Sequence, residues 1–490
     1  MTTRNRYQLI VALLICLLSA SCSISRDSHP RDRTTAFVHV NLIPMDRERV
    51  IPDQTVIVKD GLIVAIGPAD ATTLPRNTQS IEGEGQYLMP GLVDMHVHIF
   101  NAMDKGETDP LLLPLFLANG VTTVRNMPGS PEVLELRERI ARGDLLGPRI
   151  YTTGPILDGD PPFWQGSVPI ETAGEAEAAV AAQKAAGYDA VKVLANLSPE
   201  AYASVLKAAA AHGLPVYGHV PTRMDLRDAL RQGQRSFEHV SHFMVHLLPD
   251  DSPVRARLVA YWNGDEPISL QVGRDLLGLS EPYGGMQPDE IRALARRIAD
   301  AGVWVCPTLV GTRRIATGAE EFAALQQPAW MRYVGQDARA SWALLADLLS
   351  AEPGEPAIQQ QNYQTILGAI RIMHEEGVPL LLGTDAIVAG FSAHEELAIL
   401  VEAGLKPFEA LAAATRDAAD FLGASEISGT IEVGKRADLL LVRENPLEDV
   451  GSASDLAGVM ANGQWIPDHE LDSMLEAVAR TYREAESIVP

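Results

Sequence analysis

The chain is poor in cysteine, with three among 490 residues. Cys16 and Cys22 lie in or just after an apolar N-terminal run, so the body of the protein has a single thiol, Cys306, and no disulfide is expected there. Cys306 sits in Val303-Trp-Val-Cys-Pro-Thr-Leu-Val310, a strand-like apolar run, and reads as a packed thiol rather than a nucleophile. Positive charge is also scarce: 40 Lys and Arg against 64 Asp and Glu give a net charge of −24. That balance repels nucleic acid and acidic membrane surfaces and excludes a function built on a cationic patch. Long hydrophobic runs are missing as well. Leu9 to Leu18 is the one marked stretch, too short to span a bilayer comfortably. With 46% hydrophobic residues over this length, a large core and two or three domain-sized units are allowed.

The first residues, Met-Thr-Thr-Arg-Asn-Arg, then the apolar run, then Ser19-Ala-Ser-Cys22, read as an export signal over 1–22 rather than a structural helix. The small residues before Cys22 resemble a bacterial lipobox, with Ser19 where that pattern prefers Leu. The resemblance implies a lipid-modified Cys22 and an exported protein, periplasmic or anchored to the outer membrane; cleavage and release is the fallback. Residues 23–35 read as a polar linker.

Residues 36–87 alternate short β-rich runs with turn signals, among them an Asp60-Gly61 hairpin pair, and 426–467 has the same character. These flanking segments are expected to join in one small β-sandwich domain. Between them, over 88–425, short apolar runs alternate with helical stretches such as Glu175 to Ala186, Pro199 to Ala211 and Pro288 to Gly302. Eight candidate strands, 88–99, 120–127, 149–154, 189–194, 214–220, 236–240, 303–310 and 379–386, match an α/β fold of the (β/α)8 TIM barrel type. Residues 243–287 and 311–360 are long enough to be walls or lids, or packing surface. Residues 468–490 read as a polar terminal helix or tail.

In Gly91-Leu-Val-Asp-Met-His-Val-His-Ile-Phe100, His96 and His98 fall on one face of a strand. Alone, such a pair is equally a pair of satisfied strand histidines. Scanning the other strands for partners finds Lys192, an ionisable residue inside an apolar run, then His219, His239 and Asp385, each at or near a strand's C-terminal end. Six metal-capable side chains on five strands of one barrel would converge on one mouth.

Here the chain resembles the amidohydrolase superfamily over nearly all of the mature sequence. The supporting stretches are Pro90-Gly-Leu-Val-Asp-Met-His-Val-His98, Gly120-Val-Thr-Thr-Val-Arg125, Gly147-Pro-Arg-Ile150, Gly383-Thr-Asp385, His394-Glu-Glu-Leu397 and Gly429-Thr-Ile-Glu-Val-Gly-Lys-Arg-Ala-Asp-Leu439. Within the superfamily it looks most like the imidazolonepropionase-like group that includes exported Xaa-Pro dipeptidases. The resemblance implies two divalent metal ions, zinc by default. His96, His98 and Asp385 would hold the first, His219 and His239 the second, and Lys192 would bridge both as a carbamate formed with CO2. It implies hydrolysis of a carbon–nitrogen amide bond in a small molecule or short peptide by a metal-bridging hydroxide, with Asp385 as general acid/base.

Arg125 and Tyr217 are expected either to read a substrate carboxylate or carbonyl or to pack in the barrel wall; His242 and His246 read as structural or loop residues. Mononuclear deamination is disfavoured by Lys192 and by the Val-Pro-Thr-Arg-Met that follows His219. Such deaminases usually carry a Glu there. Dipeptidases of the group often have His-x-Tyr where this chain has His219-Val-Pro221, so the substrate stays open among peptides, cyclic amides, and lactones or esters. A non-catalytic binding protein is disfavoured because all six positions are filled. No nucleic-acid partner is expected, membrane association only through a lipid anchor, and a homo-oligomer is allowed.

Overall fold

Runs of β-branched and apolar residues build the first strands, and the turn between two of them follows from its sequence. Asp60 and Gly61 both have positive φ, +52° and +74°, the turn whose twist suits a two-residue hairpin. The computed structural model describes residues 34–486 except 101–107, 163, 165, 222, 241–243, 245–246, 250, 263–264, 266–268, 277–282, 284–285, 315, 317–328, 337, 340–354 and 386–387. The signal segment with Cys22, most of the linker, His242 and His246 lie outside the described residues. So does part of each long inter-strand stretch.

Strands are numbered in chain order. β1 (Thr34–Leu42), β2 (Ile51–Lys59), β3 (Leu62–Pro68), β4 (Gln79–Glu82) and β5 (Tyr87–Pro90) come from the N-terminal side. Then follow β6 (Leu92–Val97), β7 (Val121–Asn126), β8 (Arg149–Thr152), β9 (Leu157–Asp158), β10 (Val168–Pro169), β11 (Val191–Val193), β12 (Val216–Gly218), β13 (Ser236–Glu238) and β14 (Trp304–Cys306). β15 (Leu439–Val442), β16 (Leu456–Ala461) and β17 (Gln464–Pro467) close the series.

The expected sandwich takes the form of one hydrogen-bonded sheet, ordered β17-β16-β15-β5-β1-β2-β3 with β4 beside β1. The two ends of the chain meet where β5 and β15 run antiparallel, from Tyr87 opposite Val442 to Pro90 opposite Leu439. β1 is shared, pairing with β4 through its first half and β5 through its second, so a single ladder network holds every strand. Phe37, Val56, Ile63, Leu88, Leu439 and Met460 pack on one face of this sheet.

The rest is α/β with parallel sheets, ordered β6-β7-β8 and β10-β9-β11-β12-β13-β14. The expected first strand, 88–99, divides at Gly91: β5 belongs to the mixed sheet and β6 to the parallel one. A Cβ at Gly91 would stand 2.1 Å from Thr122 Oγ1, so only glycine lets the chain cross between layers there. The parallel ladders are short, three residues in β11 to β14. Residues 379–384 form no ladder but run between β14 and β6, with Leu381 N donating to Val305 O at 2.9 Å and Met95 N to Leu382 O at 2.8 Å. A bridge from Thr153 to Ala190 joins β8 to the start of β11.

Helices arise where the sequence signals them. Thr172 and Glu175 form a capping box ahead of helix Ala173–Ala186, Ser198 caps helix Pro199–His212, and both end at a left-handed glycine. Helix Asp468–Glu486 is fixed at one point by Tyr482, whose hydroxyl donates to buried Asp109 at 2.7 Å. Among the described residues no helix is long and apolar enough to cross a membrane.

Gly218, with φ +129°, closes β12; a Cβ there would stand 2.1 Å from Val193 O and 3.1 Å from Lys192 Cδ. Gly218→Ala is expected to cost about 2–3 kcal/mol or more through backbone strain and overpacking. Urea unfolding of the variant beside the natural chain measures it, and an unchanged midpoint would contradict the assigned backbone.

Candidate metal centre

The end of β6 is clamped by a carboxylate. Buried Asp94 accepts from His96 N at 3.2 Å, Thr384 N at 3.0 Å and Thr384 Oγ1 at 2.7 Å, and Asp385 N donates to His96 O at 2.7 Å. A Cβ on Gly383 would meet Cys306 Sγ at 2.3 Å and His96 Cβ at 2.9 Å, so glycine permits this approach. Asp385 then turns with φ +52°, a conformation Asp tolerates better than most residues. Its carboxylate lies 2.7 Å from His98 Nε2 and 3.8 Å from His96 Nε2.

His239, just past β13 with φ +61°, brings its ring centroid to 4.6 Å from that of His96 and 4.8 Å from that of His219. Its Nδ1 is 3.7 Å from Asp385 Oδ2. One ligand atom each from His96, His239 and Asp385 lie within 4.8 Å of one another. Lys192, in the middle of β11, is 2% exposed, and its Nζ has no hydrogen-bond partner among the described residues. It interacts electrostatically with Asp385, Glu238 and His96. The structure thus gathers His96, His98, His219, His239 and Asp385 in one cluster with Lys192 within electrostatic reach. Beside it, Phe100 stacks on His98 with centroids 4.9 Å apart and Trp164 approaches to 5.9 Å, forming an aromatic wall.

Arg125 and Tyr217 are placed differently. The Arg125 guanidinium, 1% exposed, donates to both oxygens of Glu238 at 2.9 Å, to Ser236 Oγ at 3.3 Å and to Met95 O. It lies over the rings of Tyr217 at 4.7 Å and Phe421 at 5.0 Å. Both side chains are buried, and Arg125 is engaged by Glu238 rather than turned to open space, which is the packing alternative.

The carboxylates that organise the site escaped the sequence reading. Glu238 accepts from His96 Nδ1 at 2.9 Å, so this ring carries its proton there and turns Nε2 inward, where it has no hydrogen-bond partner among the described residues. The signal was present: like Lys192, Glu238 and Asp94 are charges inside apolar strands, and each lies within two residues of a selected histidine.

Charge and burial compete here. Burial would raise Glu238, but Arg125 and His96 outweigh it and hold the carboxyl well below its usual range. Burial likewise works against ionised Asp385, and His98, His96 and His239 overcome it. Asp94 is pushed up to about 7 by burial, against its three donors. Burial and then Lys192 lower His96 to about 4, and burial lowers Lys192 to about 8 against Glu238 and Asp385.

Two outcomes follow from these charges. Arg125→Leu leaves Glu238 buried without its cation and should cost about 3–5 kcal/mol in chemical unfolding, with Glu238→Gln in the same chain recovering much of it. In chelator-treated protein the folded state keeps His96 neutral down to about pH 4, while the unfolded chain protonates it near 6.5. The unfolded state then binds more protons between those values, so stability rises with pH across that window. Acidification from 6.5 to 4 loses roughly 3 kcal/mol through this group. Denaturant midpoints against pH should show a shallower slope for His96→Asn; an identical slope would refute the assignment.

Comparison with known proteins finds relatives along most of the chain. The chain is 25% identical over 472 residues to an ochratoxinase of Aspergillus niger, covering 84% of this chain and 81% of that protein. A bottromycin amidohydrolase structure superposes with a TM-score of 0.69 at 26% identity, covering 93% of this chain and 91% of the other. A Xaa-Pro dipeptidase with bound methionine in its active site shares the fold, with a TM-score of 0.61 at 20% identity over 89% and 100% of the two chains. Residues 87–466 match the Amidohydrolase family, and with most of its length inside that match the chain belongs to this family of hydrolases.

Proposed function

We propose that the protein is a binuclear metal-dependent hydrolase of a carbon–nitrogen amide bond in a small molecule or short peptide. The supporting scaffold is a (β/α)8 barrel, with β6, β7, β8, β11, β12, β13, β14 and residues 379–385 as its staves. The bonds on both sides of 379–385 and the Thr153–Ala190 bridge favour that closure. Its active mouth is the C-terminal end of these strands, where βα loops carry catalytic residues in such barrels.

The observation that carries the reading is the unpartnered Lys192 Nζ beside a histidine and carboxylate cluster. A buried ammonium with no acceptor is costly, whereas carboxylation by CO2, with release of a proton, makes it an anionic ligand. An amine lowered to about 8 is roughly a tenth neutral at pH 7, and the neutral form is the one that adds to CO2. The inward Nε2 of His96 and buried Nδ1 of His98, both without hydrogen-bond partners among the described residues, also fit a cation. His96, His98 and Asp385 would hold one metal and His219 and His239 the other, with carboxylated Lys192 shared. Zinc suits the ligand types.

Bound divalent metal supplies an acidified water and polarises a carbonyl oxygen. Asp385, its pKa held low and its side chain 37% exposed, takes the proton of the attacking water and delivers it to the departing nitrogen. Glu238 keeps His96 in one tautomer and Asp94 holds Asp385 against β6. The aromatic wall of Phe100 and Trp164 favours a substrate with an apolar group. Export and lipid attachment at Cys22 belong to the same proposal, on the sequence of residues 1–22.

Elemental analysis of protein lacking residues 1–22 tests the reading, with an amide and dipeptide panel assayed on the same samples. Near two metals per natural chain is expected, with fewer retained in Lys192→Ala and hydrolysis reduced by about a hundredfold or more. Absence of metal after reconstitution with zinc and bicarbonate would overturn it.

A further inference from the structure

One buried carboxylate has no part in the chemistry above. Glu396, in helix Phe391–Glu402, is 0% exposed, and its two oxygens accept from Leu309 N and Val310 N, each at 2.8 Å. Residues 309–314 are helical, so these are the first N–H groups of that helix, which find no acceptor within it. Burial raises this carboxyl to about 8 against those two hydrogen bonds, and the positive end of the helix dipole, which its oxygens face, favours the ionised form. The arrangement is a helix cap supplied by another helix, and Arg314 and Glu395 tie the same two segments together beyond it.

Thr308 occupies the position from which a threonine ordinarily caps its own helix, with extended backbone and its hydroxyl turned to the N–H groups. Here its φ is +53°, a costly conformation for a β-branched residue, and its Oγ1 lies 2.9 Å from His239 Nδ1. His239 N donates to Cys306 O at 3.0 Å and Val240 N to Pro307 O at 3.2 Å, which holds the two segments side by side.

We propose that Glu396 is a positioning residue for the metal centre: by capping the helix that starts at Leu309, it releases the Thr308 hydroxyl to fix the ring of His239. This deepens the proposed function and rests on His239 being a ligand. Glu396 acts on the ligand only through Thr308. Without its carboxylate, Thr308 can relax to extended backbone, cap its own helix and leave His239 free to rotate. Glutamine at 396 would present a donor to one of the two N–H groups and so mimics that loss with little change in volume.

The test compares the natural chain with Glu396→Gln, Thr308→Ala, the double variant and Thr308→Ser. Three properties are measured: metal retention against graded chelator, the 15N-histidine spectrum of metal-free protein at pH 8, and thermal unfolding. Each of the first two variants should weaken retention of one metal by about tenfold and shift the tautomer balance of His239. The double variant should be no worse than the weaker single, and Thr308→Ser should keep the natural values. Lower thermal stability in Glu396→Gln with unchanged retention and His239 spectrum would reduce Glu396 to a helix cap and overturn the proposal. Additive losses in the double variant would overturn it too. If the natural chain retains no metal, the metal-centre reading fails, and the His239 spectrum still decides whether Glu396 and Thr308 act as one unit.

Discussion

The Glu238 carboxylate, fully buried and shared between the Arg125 guanidinium and the His96 ring, is the interaction on which the site depends. A carboxylate in a dry interior is tolerated only when its charge is met and its lone pairs are filled. Arg125 supplies the charge and two hydrogen bonds, Ser236 donates a further one, and His96 Nδ1 takes a remaining direction. That last bond decides which imidazole nitrogen faces the cluster. A buried arginine thus sets the tautomer of a histidine in the cluster. The rings of Tyr217 and Phe421 against the guanidinium keep water from competing for it.

Three non-glycine residues at the strand ends, His239, Thr308 and Asp385, have positive φ. Each turns out of a parallel ladder or the extended segment beside one, and each contributes a side chain to the cluster or to a member of it. Left-handed backbone outside glycine is retained where surrounding bonds over-determine it. Here those bonds are Asp385 N to His96 O, His239 N to Cys306 O, and Glu396 with the helix after Thr308. The ladders can be short because these cross-links do part of the alignment that longer strands would do.

The sheet built from both ends of the chain bears on the site indirectly. β5 runs into β6 through Gly91, so the strand that carries His96 and His98 is anchored by a second layer at its start and by Asp94 and Thr384 at its end. Helix Asp468–Glu486 returns from that sheet to hold Asp109, near the chain that follows His98. Displacement of the ends would therefore be felt at His96 and His98.

Residue type and spacing made much of this legible beforehand. Alternation placed His96 and His98 on one face, apolar spacing placed the helices, the Asp-Gly pair placed the hairpin, and a lysine inside an apolar run marked a charge in need of a partner. These are local rules, in which a residue's neighbours in sequence are its neighbours in space. Glu238 meeting His96 across 142 positions, Asp94 meeting Thr384 across 290, and Glu396 reaching back to cap a helix at 309 are pairings between strands and helices whose adjacency exists only once the sheets assemble. The sequence by itself determined which side chains could bind a cation. Tertiary structure decided which carboxylate neutralises which cation, which imidazole nitrogen is offered, and that Arg125 is buried against Glu238 and Tyr217, because buried charges are settled by three-dimensional proximity and not by spacing along the chain.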